Sequence, residues 1–580
     1  LMPSRNQEAY FSELPKIDIQ RSIFNRPFNH KTSFDTGDVI PFYLDEVIPG
    51  STHNVTTSVV ARLQTLLTPI MDNMYIDTYY FFVPMRLLWS HTKNFFGENE
   101  NGPWVKDKVN YQIPYLNYPA EETTPDGTIP AGFAKGSIAD YFGIPVERAV
   151  ADTSDSRNKP SALPFRAYAL IINEFFRDQN LQQPVVIHTD DTIRRGVHGS
   201  AEVMNSDGTY TEPYVTDLEL GGKPFKAARF HDYFSSCLPA PQRSEPISIF
   251  GNLITDSTYA PVGTLTNNHT PLSNIPLVMQ GTDNVIAPVR SNNNTLVKST
   301  NTTYIGQFPA NLYADLNIPE ATITQLRLAF QLQRYYERAA VSGNRYREYL
   351  AGFFGTTNGD ARMQIPEYLG GHRIPLSIHQ VANTSQSADG DLGDVAAMSN
   401  TADVHEDFHM SFSEHGYIIG LMVARYDNTY SQGLHALWSR RDPLDFYNPV
   451  FSHLSDMPVF RREVAFGLPI TSGGTVDESV LNGVFGYNQA WSSYRYMVDR
   501  VSGEMRPEVS NSLASWHLAD DYATAPLLGS HWIQTDKNTV DRVLAVGSSV
   551  SNQIFADIHV DNEAVMPMPV DPTPGLADHF

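Results

Sequence analysis

Near the C-terminus, Ile554, Ala556, Ile558 and Val560 alternate with Phe555, Asp557 and His559. A period of two sends successive side chains to opposite faces, so this segment predicts a strand with one buried face. The stretch YIDTYYFFV, from Tyr75 to Val83, is apolar or aromatic almost throughout. That pattern predicts a strand covered on both faces. Upstream, VIPFYLDEVIPG and NVTTSVVARLQTLL are rich in β-branched and aromatic residues and are punctuated by Pro41, Pro49-Gly50 and Pro69. They predict two further strands. EHGYIIGLMVARYD, PVFRREVAFG and DRVLAVG supply more strand candidates in the last third.

Helical spacing is confined to a few places. MRLLWSHTKNFFG, after Pro84, predicts a short helix closed by Gly97. SALPFRAYALIINEFFRDQN (161–180) sets Phe165, Tyr168, Ile172 and Phe176 on one stripe, with Leu170 and Ile171 outside it, so burial on more than one side is predicted. A capping-box pattern from Thr322 to Gln325 opens a longer helix carrying Leu328, Leu332, Tyr335 and Ala339, with Ile323, Leu326 and Phe330 as a second stripe. Gly343 interrupts it before YREYLAGFFG.

Between the helices, residues 243–309 are rich in Asn, Thr, Ser, Pro and Gly, with short alternating pieces in ISIFGNLI and IPLVMQG. So long a helix-free segment that keeps its apolar residues predicts an ordered, outward-projecting insertion. The chain therefore divides into 1–242, the insertion 243–309, and 310–580 with a helix over 322–353 and an extended proline-rich tail. Strands this far apart, with helices inside the connections, indicate a mainly β sandwich with very large loops rather than a regularly alternating α/β fold.

Composition sharpens this picture. The 31 Phe, 29 Tyr, 39 Pro and 37 Gly residues favour many short strands and ordered turns. Cys237 is the single cysteine, which excludes internal disulfides and cysteine-based zinc sites and reads as a small buried residue. No apolar run approaches the twenty or so residues of a membrane helix, and the first residues carry no secretory pattern, so a soluble chain is expected.

The net charge of −23 argues against nucleic-acid binding by the bulk surface. The N-terminal segment is locally basic and aromatic, with Arg5, Lys16, Arg21, Arg26 and Lys31 among Tyr10, Phe11, Phe24 and Phe28. It reads as an extended arm packed on its own or a neighbouring subunit. Nucleic-acid contacts through Arg5, Lys16, Arg21 and Arg26 are the sharper alternative. Both termini are expected to lie largely across neighbouring subunits.

One enzyme signature is present: His405-Glu406-Asp407-Phe408-His409 satisfies the H-E-x-x-H pattern of zinc hydrolases. Zinc chemistry needs both histidines on one helix, about one turn apart. Here Phe408, Met410 and Phe412 alternate with Asp407, His409, Ser411 and Ser413, a strand signal. At ~3.3 Å per residue the histidines would stand roughly 13 Å apart. The expectation is that the three apolar residues face packing and both histidines point the other way. Asp389 to Asp394 resembles the start of a calcium loop, but Gly393 occupies a ligand position and Asn400 stands where a bidentate Glu belongs. No phosphate loop, nucleophile elbow or dinucleotide fingerprint occurs, so no catalytic residue, metal or cofactor is assigned.

Several blocks resemble the major capsid proteins of microviruses, the gokushovirus group of small single-stranded DNA bacteriophages. They include FNRPFNHKTSFDTGDVIPFYLDEVIPGST, YIDTYYFFVPMRLLW, SALPFRAYALIINEFFRDQNLQ, KAARFHDYFSSCLPAPQR, ITQLRLAFQLQRYYERAAVSGNRYREYL, EHGYIIGLMVARYD, GLHALWSRRDPLDFYNP and the terminal PGLADHF. The resemblance covers nearly the whole chain in order and is weakest over 243–309. It implies an eight-stranded antiparallel jelly-roll β-sandwich with long, partly helical insertions. It also implies sixty copies in a T = 1 icosahedral shell around circular single-stranded DNA. Implied partners are an internal scaffolding protein, a small basic DNA-condensing protein, a DNA pilot protein and a bacterial surface receptor, with assembly in the host cytoplasm. The variable insertion would form a threefold protrusion for host recognition, with Asn267, Asn268, His269, Asn292, Asn293 and Asn294 near its tip. The rival functions are a zinc-dependent hydrolase using His405, Glu406 and His409, and a carbohydrate-binding jelly-roll module.

Overall fold

The computed structural model describes residues 19–98, 111–124, 127–205, 210–244, 262–264, 278–280, 286–292, 295–298, 308–309, 312–314, 323–382, 395–469, 476 and 478–571. The chain forms two compact units, Leu1–Pro241 with Ser342–Phe580, and Gln242–Val341.

The larger unit is built on two antiparallel sheets. The strands of these two sheets are β1 (Ser22–Asn25), β2 (Phe28–Phe34), β3 (Asp38–Val47), β4 (Thr52–Leu63), β5 (Met74–Pro84), β6 (Phe225–Lys226), β7 (Glu367–Gly370), β8 (Arg373–Pro375), β9 (Thr401–Ser411), β10 (Gly416–Tyr426) and β11 (Ile554–Met566). In the first sheet β1 and β2 both pair with β11, followed by β4 and β9. The second runs β6–β3–β10–β5, with β7 and β8 pairing successive parts of β5. With β7 and β8 taken as halves of one strand, and the short β1 and β6 set aside, the principal strands follow the orders first–eighth–third–sixth and second–seventh–fourth–fifth. That is the interleaving of a jelly roll, two Greek keys folded face to face.

The number of covered faces explains the two kinds of strand pattern. Phe34, Ile40, Phe42, Val55, Val59, Tyr80, Ile418 and Ile558 fill the space between the sheets. A second apolar layer covers the far side of the second sheet, where Phe81, Val83, Ile419, Leu421 and Val423 meet Trp89, Phe165 and Tyr168. Tyr168 belongs to α1 (Leu163–Ile171), which continues as one π-helical turn over Ile172–Phe176. Strands β5 and β10 are thus sandwiched and read as apolar runs, whereas β11 buries Ile554, Ala556, Ile558 and Val560 and turns Phe555 and Asp557 to solvent. Fully burying each such large side chain contributes roughly 1.5–3 kcal/mol.

Some elements depart from expectation. DRVLAVG is not a strand: Asp536 accepts from the amide of Asn538 at 2.9 Å and caps a helical turn over Lys537–Asp541, so the run becomes a buried turn. PVFRREVAFG divides into a strand, Asp456–Phe460, and a helical turn, Arg461–Val464. MRLLWSHTKNFFG forms two separate turns, Met85–Leu88 and Thr92–Phe95, because Trp89 adopts an extended backbone and packs inward. Short apolar runs do not fix their own period. Cys237 is buried as expected, and desolvation pushes its thiol well above the ordinary range.

The arm from Ser22 onward lies on its own subunit. β1 and β2 pair with β11 from Ser22↔Met566 to Phe34↔Ile554, so the expected placement across a neighbour does not hold for this segment. The antiparallel ladder supplies its backbone partners, and Arg26 fastens it with a two-pronged bond to Asp45 at 2.7 and 2.8 Å.

The smaller unit contains a four-stranded sheet (Phe308–Pro309, Val278–Gln280, Ile286–Asn292, Thr295–Lys298), a pair formed by Val262–Thr264 and Leu312–Ala314, and all but the last residue of the helix α2 (Ile323–Ser342). The strand expected in IPLVMQG is present; ISIFGNLI and the capping residue Thr322 lie outside the described residues. The predicted insertion at 243–309 falls inside this unit, which runs on to Val341. Gly343 has a positive φ of 100° and separates α2 from α3 (Tyr346–Phe354), where the break was predicted.

Candidate assembly surface

The HEDFH segment forms β9, so its two histidines cannot sit one helical turn apart and the hydrolase geometry is absent. Phe408 and Phe412 are buried as expected, but Met410 remains 38% exposed. The expected orientation of His405 is corrected. Against β4, Glu406 faces Thr56 and Phe408 faces Val55, leaving Asp407 as the extra residue of a β-bulge. The bulge shifts the parity of the strand, so the His405 side chain is turned inward between Asp403 and Asp407, while His409 is exposed. The calcium-like segment Asp389–Asp394 lies outside the described residues.

Arg5 and Lys16 also lie outside the described residues. Arg21 is exposed near Gly50, and Arg26 shares its guanidinium with Asp45. Of the residues assigned to host recognition, Asn267, Asn268, His269, Asn293 and Asn294 are outside the described residues, and Asn292 ends a strand opposite Thr295.

The most unusual surface lies elsewhere, in GLHALWSRRDPLDFYNPVFSHL (433–454), whose spacing fits neither a strand nor a helix. Three single 3-10 turns build it: Ala436–Ser439, Pro443–Asp445 and Pro449–Phe451. Each is held by a side chain of its own. His435 Nδ1 accepts from the Leu437 amide at 3.1 Å, and Asn448 Oδ1 accepts from the Val450 amide at 3.0 Å. Asp445 accepts from the amides of Arg441 and Asp442 at 2.7 and 2.9 Å, which hold its carboxyl below the usual range.

These bonds satisfy the backbone without burying the apolar side chains. Val450 is 80% exposed, Leu444 70% and Trp438 63%, and Leu437, Phe446, Tyr447 and Leu454 are exposed beside them in sequence. A second loop extends the patch: Tyr447 lies 5.7 Å from the Trp491 ring, and Arg440 stacks 4.0 Å over Tyr494. Trp491 Nε1 donates to the Phe451 carbonyl at 3.0 Å, and Tyr496 and Met497 are exposed just beyond. An ordered apolar patch of this kind marks a protein contact surface. Sequence reading missed it because nothing in its irregular spacing separates a buried apolar residue from an uncovered one. Its density of apolar and aromatic residues, punctuated by Asp and Pro, was the available signal.

Comparison with known proteins shows the family to which the chain belongs. The family described as Capsid protein (F protein) matches residues 12–576. Capsid protein VP1 of Spiroplasma virus 4 is 36% identical over 589 residues, spanning 98% of this chain and 97% of the relative. Capsid protein VP1 of Chlamydia phage 1 is 34% identical over 98% of this chain and 97% of its own length. Capsid protein VP1 of Bdellovibrio phage phiMH2K is 33% identical over 100% of this chain and 99% of its own. With the jelly-roll core, the uncovered apolar turns and this end-to-end likeness together, the chain belongs to the F-type capsid protein family and is a major capsid protein of microviruses.

Proposed function

We propose that sixty copies of this chain close a T = 1 icosahedral shell around circular single-stranded DNA, with the apolar turns at 433–454 buried between neighbouring subunits. The observation that carries this reading is a set of ordered, internally capped turns whose large side chains stand exposed among the described residues. Its role is structural rather than enzymatic. Electron microscopy of particles isolated from infected cells tests it: closed shells of uniform size with sixty subunits are expected, and helical tubes or a different subunit number would reject it.

The net charge of −23 gives the shell little means of neutralising packaged phosphate. It supports a separate small basic DNA-condensing protein, alongside an internal scaffolding protein and a DNA pilot protein, with assembly in the host cytoplasm. Direct interior contacts would fall to Arg5, Lys16 and Arg21, and to Arg26 only with what its bond to Asp45 leaves free. The segment carrying Asn267, Asn268, His269, Asn292, Asn293 and Asn294 forms the threefold protrusion that meets a bacterial surface receptor. Replacing residues 265–298 with a short Gly/Ser linker is expected to keep particle yield and lower host adsorption at least tenfold. Unchanged adsorption would remove the receptor role.

A further inference from the structure

We propose that His372, Asp403 and His405 form a binding site for a divalent transition-metal ion of the zinc class, which would staple the edge of one sheet to the other. His405 Nδ1 lies 3.1 Å and His372 Nε2 3.7 Å from Asp403 Oδ2. The three atoms all fall within 4.8 Å of one another. Ligand atoms around a tetrahedral zinc with bonds of about 2.0–2.1 Å stand roughly 3.3 Å apart, so small side-chain rotations would bring all three to one ion. His372 has that freedom, being 49% exposed.

The elements behind the ligands are fixed. His372 occupies the turn between β7 and β8, and its backbone exchanges hydrogen bonds with Thr78 of β5 at 2.9 and 3.2 Å. Gly370 and Gly371 let that turn pass the bulge. A Cβ on Gly370 would stand 2.3 Å from the Asp407 carbonyl oxygen, and one on Gly371 would stand 2.0 Å from that of Thr78. The bulge at Asp407 delivers the other two ligands, since it places Asp403 and His405 on the face that meets this turn.

A further feature points to a metal rather than to a chance cluster. His405 Nε2 lies 2.9 Å from Asp407 Oδ1, and neither atom has a hydrogen bond elsewhere among the described residues. The Asp407 side chain is 0% exposed, and its other oxygen accepts from the Thr57 hydroxyl. A histidine that binds metal through one nitrogen commonly presents the other to a carboxylate, which fixes the ring and raises its basicity. Two imidazoles and one carboxylate suit zinc-class ions better than magnesium or calcium, and three protein ligands leave a coordination position for water. His409, the second histidine of the H-E-x-x-H pattern, has no part in the site.

Zinc titration of the untagged full chain against a chromophoric chelator, with melting followed in parallel, tests the site. Expected are one tightly bound Zn²⁺ per chain, a melting temperature raised by zinc, and no displacement by millimolar Mg²⁺ or Ca²⁺. His372→Ala, at an exposed turn, should melt normally without zinc and lose both the binding and the zinc-dependent rise. Asp407→Asn should weaken binding about 10–100-fold. His409→Ala should bind as the parent does. Absence of stoichiometric zinc on the parent, retention by His372→Ala, or loss in His409→Ala would each overturn the proposal.

Discussion

Val450→Asp combined with Leu444→Asp is expected to yield a folded chain that no longer forms particles. Both side chains project from turns whose backbones are held by Asn448 and Asp445, so the substitutions leave those bonds in place. The free subunit should therefore melt within about 0.5 kcal/mol of the parent, as most surface changes do. In the shell each subunit would bury two carboxylates in an apolar contact. Removing a well-packed interface anchor costs about 2 kcal/mol or more, and an unpaired buried charge adds to it. Every copy carries the same defect, so the penalty recurs around the shell. Sedimentation velocity and electron microscopy read the outcome directly. Particles at parental yield would show that the patch lies outside the subunit contacts.

The second large effect lies in the interior. Arg229 and Asp520 form an ion pair with both side chains almost wholly buried. Arg229 Nε also donates to the carbonyls of Trp532 and Gln534 at 2.9 and 3.2 Å, and the Tyr522 hydroxyl donates to Asp520 at 2.5 Å. Desolvation opposes the guanidinium charge, but the Asp520 carboxylate together with Tyr522, Tyr430 and Tyr426 outweighs it, and the net effect holds Arg229 firmly protonated. Asp520→Asn removes the balancing charge and leaves a buried cation, at a cost of about 3–5 kcal/mol. Arg229→Met paired with Asp520→Leu removes both charges and should recover much of that loss. Chemical denaturation of the unassembled chain measures both. A loss below about 1 kcal/mol for the single variant would mean that water or another group compensates the cation.

The strands were most legible where burial is uniform along their length. β5 and β10 are covered on both faces and β11 on one, and each coverage leaves its own period in the sequence. The break at Gly343 was equally plain, because a positive φ there favours glycine. DRVLAVG misled because a short apolar run suits a buried turn as well as a strand, and a single cap at Asp536 decided between them.

The candidate surface and the metal cluster were not legible in the same way. Exposure of Trp438, Leu444 and Val450 depends on whether any other part of the subunit reaches them, which residue order does not encode. His372 comes beside His405 only because the turn between β7 and β8, paired to β5 in the second sheet, meets the edge strand β9 of the first.

The sequence by itself determined the β class of the chain, the strand conformation of HEDFH and the two kinds of strand, because side-chain period follows directly from backbone geometry and burial. Tertiary structure alone decided which way His405 points. One extra residue in a ladder reverses every side chain on one side of it, and whether that residue is accommodated depends on the partner strand β4 and on the two glycines that let the β7–β8 turn approach.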